Sequence, residues 1–286
     1  MSGSGPAATV VLTGASSGIG AAAAVELTRQ GHSVVAVGRS PSKLAVVHRR
    51  MQAAAGAGAV PEPVTADFAS LDEVRRLAAL LLERCPRIDV LANNAGLIVS
   101  RRQETAGGHE LILAVNHLAP FLLTNLLVER LRASNGRVVT TSSEAHKGGR
   151  IYEDDIQLRR WGRWKAYCQS KLANVLFTTE LARRAALPAT AFHPGLVRTE
   201  FGRGSLVALA SKVVRPLYRS PEQGAETLVW LATEPEGAAP SASYYVDCHP
   251  GRPSAAARDS ALAGRLWEAS AALVGLDGSR APASGP

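Results

Sequence analysis

Apolar residues follow two rhythms along this chain. Short runs rich in β-branched and small apolar residues recur at 9–12, 34–37, 60–66, 89–92, 137–141, 189–192 and 243–246. Between them, longer stretches at 18–30, 43–55, 71–84 and 109–132, and one running through Tyr167 to about Ala186, carry a helical pattern. Runs of the first kind, alternating with the second, read as buried strands of a parallel sheet covered by helices on both faces. Local signals punctuate the pattern. Gly31 stops the first helix, and glycines at 56 and 58 break the second. Ser70 and Glu73 form a capping-box signature. Pro61 and Pro63 loosen the third strand, and Pro120 predicts a kink in the 109–132 helix. The expectation is an α/β, doubly wound, seven-stranded parallel sheet in a single domain spanning 1–286. Its core is 7–276, and a frayed Gly-, Ala-, Ser- and Pro-rich tail covers 277–286.

Composition narrows the picture without supplying it. At 286 residues the chain suits one large core. The net charge of +8 comes from arginines scattered singly or in pairs. That pattern reads as solvated helix faces and attraction for an anionic cofactor, with no nucleic acid partner expected. Cys85, Cys168 and Cys248 show neither metal spacing nor a disulfide framework. No metal is expected, and a reducing cytoplasm fits. Neither a secretory signal ahead of the first strand nor a run of about 20 apolar residues is read from the sequence, so no membrane span is expected.

The chemistry concentrates in two places. Tyr167 and Lys171 lie four residues apart in Ala166-Tyr167-Cys168-Gln169-Ser170-Lys171, and such positions share a helix face. A free phenol ionises near ~10. An adjacent ammonium favours its phenolate, so the pair describes a proton-transfer device. Upstream, Thr13-Gly14-Ala15-Ser16-Ser17-Gly18-Ile19-Gly20 joins the first strand to the first helix. In that context a glycine turn seats a dinucleotide pyrophosphate. Gly14 would permit the turn, Gly18 close backbone approach and Gly20 helix–strand packing, though the spacing is GxxxGxG rather than GxGxxG. Arg39 follows the second strand nineteen residues after Gly20. An acid there would bind the ribose 2′-hydroxyl, whereas an arginine accommodates a 2′-phosphate, so NADP(H) is preferred over NAD(H). Lys43 could assist or simply face solvent.

These residues, with Asn93-Asn94-Ala95-Gly96, Ser143 and His193-Pro194-Gly195, resemble the short-chain dehydrogenases/reductases in the order and rough spacing of all five motifs. The segment from Ala166 to Asn174 is similar to the retinol-dehydrogenase-like branch. So is the tail, with Tyr244-Tyr245-Val246-Asp247-Cys248 followed by Ala263-Gly264-Arg265-Leu266-Trp267-Glu268. The resemblance implies a Rossmann-type fold and a set of roles. Ser143 would hold the substrate carbonyl, leaving Ser142 as a strand-end residue. Tyr167 would act as acid or base. Lys171 would lower the phenol pKa and hold the nicotinamide ribose, and Asn116 would fix a water in a proton relay. Ser16, Ser17 and Ile19 would join the glycines around the cofactor. Asp67 would meet the adenine, Asn93, Ala95 and Gly96 would flank its ribose beside a structural Asn94, and Pro194, Gly195 and Thr199 would line the nicotinamide side.

Residues 144–166 lengthen the Ser143–Tyr167 interval to 24 residues and read as pocket wall, with Trp161 and Trp164. A lid from Phe201 to Ser220 would cover the pocket. The lining is apolar, so the implied substrate is a lipophilic carbonyl or alcohol, either a retinoid or an apolar ketone of secondary metabolism. An iminium reductase and a non-catalytic cofactor-binding protein remain open alternatives. A homodimer is expected, because many family members pair through the helix after Asn94 and the helix carrying Tyr167; the tail around Trp267 would cover that face, which permits a monomer, or reinforce it. Membrane-bound relatives in the branch carry an N-terminal anchor. None is read here, and a soluble, cytoplasmic enzyme is the expectation.

Overall fold

The computed structural model describes residues 7–197, 219–238 and 243–276. The strands are β1 (Thr9–Thr13), β2 (Ser33–Gly38), β3 (Val64–Thr65), β4 (Val90–Asn93), β5 (Arg137–Thr141), β6 (Ala189–His193), β7 (Ser243–Val246) and β8 (His249–Pro250). They form one sheet in the order β3-β2-β1-β4-β5-β6-β7-β8. All neighbours are parallel except the β7–β8 pair. The helices are α1 (Gly18–Arg29), α2 (Pro41–Ala55), α3 (Leu71–Arg84), α4 (Leu111–Ala133), α5 (Arg163–Ala185), α6 (Pro221–Thr233) and α7 (Ser260–Leu273).

Strand side chains alternate between two cores, as a period of two requires. Val11, Leu91 and Val138 pack with α3, α4 and α5 on one face. Val10, Leu12, Val90, Ala92 and Val139 pack with α1, α2 and α6 on the other. Both faces are therefore buried, which is why these strands read as near-continuous apolar runs.

Two expectations are corrected. The third strand shrinks to Val64–Thr65, because Pro61 and Pro63 have no N–H to give a ladder. Among the described residues the sheet has eight strands rather than seven. Asp247 and Cys248 both adopt positive φ, 53° and 61°, and turn β8 back antiparallel onto β7. Ahead of Pro120, α4 widens into a π turn over Ala114–Leu118 and resumes its α form at Ala119. Pro120 has no N–H to donate to the Asn116 carbonyl in an α pattern.

Helix α4 is also long and apolar enough to cross a membrane by length and composition, contrary to the reading that no run approaches that size. However, 78% of its most apolar window is buried within the protein, as in a core helix. Helix α7 lies over α5. Its Trp267 stacks on Phe177, with ring centroids 5.9 Å apart, and meets Phe121 of α4 edge-on at 4.8 Å. Ser270 of α7 accepts the His117 Nε2 hydrogen at 2.9 Å and passes its own to the Leu266 carbonyl. The tail thus covers the adjoining faces of α4 and α5.

Candidate active site

The strand order reverses between β1 and β4, and in such sheets the crevice beyond the carboxyl ends at that point receives the ligand. The local packing explains the glycines there. Gly14 has φ +69°, and a Cβ on it would lie 2.8 Å from the Ala95 Cα. A Cβ on Gly20 would lie 2.3 Å from the Gly14 carbonyl oxygen. The β1 turn and the β4 loop therefore touch through bare backbone. Asn94 secures them: its Nδ2 donates to the Thr13 carbonyl at 3.0 Å, and its Oδ1 accepts from Thr141 Oγ1 at 3.2 Å. Asn94 ties the ends of β1, β4 and β5 together. Asn93 instead points into the helix layer and donates to Thr124 Oγ1 at 2.9 Å, so only its backbone faces the crevice.

One end of the crevice suits an anion. Helices α2, α3, α6 and α7 each have a side chain capping their first turn, from Ser40, Ser70, Ser220 and Asp259. Helix α1 has no side-chain cap and no acid in its first turn. Its leading N–H groups and positive dipole end fit a phosphate. Ile19 turns back to pack toward Gly224 of α6. Beside the turn, the Ser16 side chain lies against Gly38, whose added Cβ would sit 3.0 Å from the Ser16 Cβ. This brings Ser16 next to Arg39, which is exposed at the end of β2. A groove of about 240 Å³ continues from Ser16, Ser17 and Gly18 past Lys43 and Arg50. An uncapped helix start, a hydroxyl and a guanidinium fit the phosphates of a dinucleotide. Asp67 lies at the end of β3, with Oδ1 accepting from the Ala69 N–H at 3.0 Å. The capping box predicted at Ser70 is half formed. Ser70 Oγ accepts from Glu73 N, but the Glu73 carboxylate turns to the Asp67 N–H at 2.7 Å.

The other end gathers the reactive side chains. Tyr167 and Lys171 project from α5. The Tyr167 phenol hydrogen-bonds the Ser143 side chain, and burial pushes the phenol up while that hydrogen bond pulls it back. Ser142 turns inward and donates to the Lys171 carbonyl at 2.8 Å, leaving Ser143 as the serine that faces Tyr167. Lys171 is buried. Its Nζ donates to the Thr141 carbonyl at 3.1 Å and stands 5.7 Å from the Tyr167 ring centroid. Burial lowers its pKa from 10.5 to about 8. The Lys171 ammonium was expected to depress the phenol, but here burial dominates and the phenol moves upward. Gly96 adjoins both the Lys171 ammonium and Asn116.

Asn116 sits in the π turn, and its amide is committed to protein. Oδ1 accepts from Leu97 N at 2.7 Å, while Nδ2 donates to the Leu97 carbonyl and to Ser170 Oγ, both at 3.0 Å. It clamps the segment after Gly96 to α5.

Two positioning residues were not found from sequence. His146 is fully buried below Ser143. Its Nδ1–H donates to the Ser143 carbonyl at 2.7 Å, and its Nε2 accepts from the Ser254 N–H at 3.1 Å. The accepting Nε2 requires the neutral ring, and burial holds its pKa down. Arg219 lies across Gly195, which has φ +82° and whose added Cβ would lie 2.6 Å from the Arg219 Cδ. The guanidinium is paired with Asp247. Pro194 and Gly195 are thereby fixed at the end of β6. Thr199 and most of the expected lid, including Phe201, Leu206, Val207, Leu209, Val213, Val214, Leu217 and Tyr218, lie outside the described residues. Of the two expected wall tryptophans, Trp161 is committed to the fold, donating from Nε1 to Glu110 Oε1 at 3.1 Å, whereas Trp164 is 64% exposed. Among the described residues no cluster of His, Cys, Asp or Glu could hold a metal ion.

Comparison with known proteins places this arrangement. The short chain dehydrogenase family model matches residues 8–206. A protein of Streptomyces sp. (strain C5) named "Putative daunorubicin C-13 ketoreductase DnrU" is 46% identical over 273 residues, covering 94% of this chain and 93% of its own. Human retinol dehydrogenase 13 is 38% identical over 288 residues, covering 95% of this chain and 86% of its own. The crystal structure of an uncharacterized protein from Mycobacterium Paratuberculosis is 37% identical, with a TM-score of 0.76 over 94% of this chain and 93% of that one.

Proposed function

The chain belongs to the short-chain dehydrogenase/reductase family of oxidoreductases, which bind a nicotinamide cofactor, and we propose that it uses NADP(H) to transfer a hydride to or from a lipophilic carbonyl or alcohol, with Tyr167 as the acid or base. The observation that carries this reading is the Tyr167 phenol, hydrogen-bonded to Ser143 with Lys171 buried one helical turn away, at the crevice that the glycine turn closes. When bound, the cofactor supplies the hydride. Ser143 would hold the carbonyl oxygen, Tyr167 would deliver the proton, and the Lys171 ammonium would hold the nicotinamide ribose. With its pKa pushed up by burial, the phenol keeps its proton at neutral pH and is available as the acid in carbonyl reduction. An alkoxide is a stronger base than a phenolate, so the transfer remains downhill. The names of the relatives describe the two directions of one chemistry, a ketone reduced and an alcohol oxidised. The thiols of Cys85, Cys168 and Cys248 are all free, which supports a cytoplasmic setting.

Preference for the phosphorylated cofactor rests on Arg39, exposed beside Ser16 with no acid at the neighbouring positions 38 and 40. A guanidinium can grip a phosphate with two charge-assisted hydrogen bonds. Arg39→Asp is expected to raise the KM for NADPH by at least tenfold, about 1.4 kcal/mol, and to improve use of NADH. Steady-state kinetics with both cofactors checks this, and a wild-type enzyme that prefers NADH tenfold would overturn it.

The covered α4–α5 face supports a monomer over the homodimer expected from the sequence. Trp267 of α7 lies against Phe121 and Phe177, on the two helices through which a second copy was expected to pair. Light scattering at micromolar concentration is expected to give a mass near 30.0 kDa. Twice that mass would restore the homodimer.

A further inference from the structure

Trp164 stands out among the large apolar side chains. It is 64% exposed, while most of its counterparts are buried. It occupies the first turn of α5, three residues before Tyr167, and positions three apart on a helix are neighbours. Its indole lies against the Tyr167 ring, with centroids 5.5 Å apart and planes 24° apart. One face of the indole is therefore covered by the residue that carries the reacting proton, and the rest is open. Trp161, one turn earlier, shows the contrast. Its ring packs beside Ile112, Leu158 and Ala166, and its Nε1–H is spent on Glu110. The fold uses Trp161 and leaves Trp164 unused.

The surroundings also define what Trp164 can take. By contrast, the Lys165 ammonium lies 3.9 Å from the Tyr152 ring centroid and the Arg150 guanidinium 5.5 Å from it, so that aromatic face is already occupied by cations. Trp164 is thus an open aromatic surface continuous with the Tyr167–Ser143 pair. Indole rings favour flat π systems, which stack with large contact area and little loss of internal freedom, over flexible chains that must be ordered on binding.

We propose that Trp164 is a specificity-determining platform, on which a flat, fused-ring aryl ketone or aldehyde lies while its carbonyl reaches Tyr167 and Ser143. This rests on the oxidoreductase reading above and adds a substrate class to it. Flexible aliphatic carbonyls of similar size gain less from the indole, so the ring selects between the two.

The test compares 2-acetylanthracene with decan-2-one, using the NADPH-loaded enzyme and the variants Trp164→Ala and Trp164→Phe. The ratio of kcat/KM for the aryl over the alkyl ketone should fall on the order of tenfold or more in Trp164→Ala, the scale of a stacked ring lost. It should be largely restored in Trp164→Phe. An unchanged ratio in Trp164→Ala overturns the proposal, and so does a Trp164→Phe variant as poor as the alanine. Binding of 2-acetylanthracene to the NADP⁺ complex, followed by its own fluorescence, separates this from the reductase reading. If neither ketone is reduced but Trp164→Ala weakens binding tenfold, the reductase reading falls and the platform stands. Equal binding by wild type and Trp164→Ala removes the platform whatever the turnover.

Discussion

Tyr167→Phe is expected to lose roughly 10²- to 10⁴-fold in turnover, the range that general acid catalysis supplies, while still binding NADPH. The substitution keeps the ring that stacks on Trp164 and removes only the hydroxyl that Ser143 contacts. One hydrogen bond is lost from a buried site, so the fold should change in stability by about 1 kcal/mol. The kinetic loss corresponds to roughly 3–5 kcal/mol of transition-state stabilisation. That is too large to come from weakened packing of an otherwise intact helix. Ser143→Ala should also fall. The double variant should lose less than the product of the two, because the two hydroxyls act on one developing oxyanion. Single-turnover oxidation of NADPH with an accepted carbonyl isolates the step. Hydride transfer at the wild-type rate in Tyr167→Phe would move the proton source to water, or to a substrate that arrives protonated, as an iminium does.

What the sequence disclosed and what it hid divide along physical lines. The glycine turn, Arg39 and the Tyr167–Lys171 spacing were legible because each is local: a backbone conformation, a strand end and one turn of helix. The β7–β8 hairpin was not, because its two positive-φ positions are held by Asp247 and Cys248 rather than by the glycine or asparagine that advertises such turns. Helix α6 was passed over although Ser220 and Gln223 form a complete capping box, a signal that could have found it. Arg219 and His146 were invisible for a different reason. Arg219 meets Asp247 across 28 residues and His146 meets Ser254 across 108, and no periodicity reports such pairs. The direction of the Tyr167 shift failed for the same cause. Helical spacing placed the ammonium near the phenol, but how deeply both are buried depends on β5 and the loop after Gly96, which the spacing does not contain.

Lys171→Ala is expected to abolish most activity while the protein stays folded, and linkage shows why the two readouts part. The pKa of Lys171 falls from 10.5 in the unfolded chain to about 8 in the fold, through burial. Between those values the folded state binds fewer protons than the unfolded one, so the contribution of Lys171 to stability improves as pH rises from about 8 toward 10.5. Below about pH 8 the buried ammonium is a cost that folding carries. Removing it should therefore leave the melting temperature at pH 7 close to wild type, the cavity of the lost side chain offset by the lost charge. Catalysis has the opposite dependence. The ammonium is the form that donates to the Thr141 carbonyl and would hold the ribose, so kcat/KM of the wild type should decline as pH rises through about 8. In Lys171→Ala the residual activity should lack that alkaline limb, and Lys171→Arg should keep a charge at all pH values but misplace it. A pH profile of kcat/KM beside a thermal melt distinguishes the outcomes. Near-normal turnover in Lys171→Ala would make the pair incidental. A collapsed melt would instead make Lys171 a structural residue, its hydrogen bond to Thr141 holding the end of β5 where Ser143 begins.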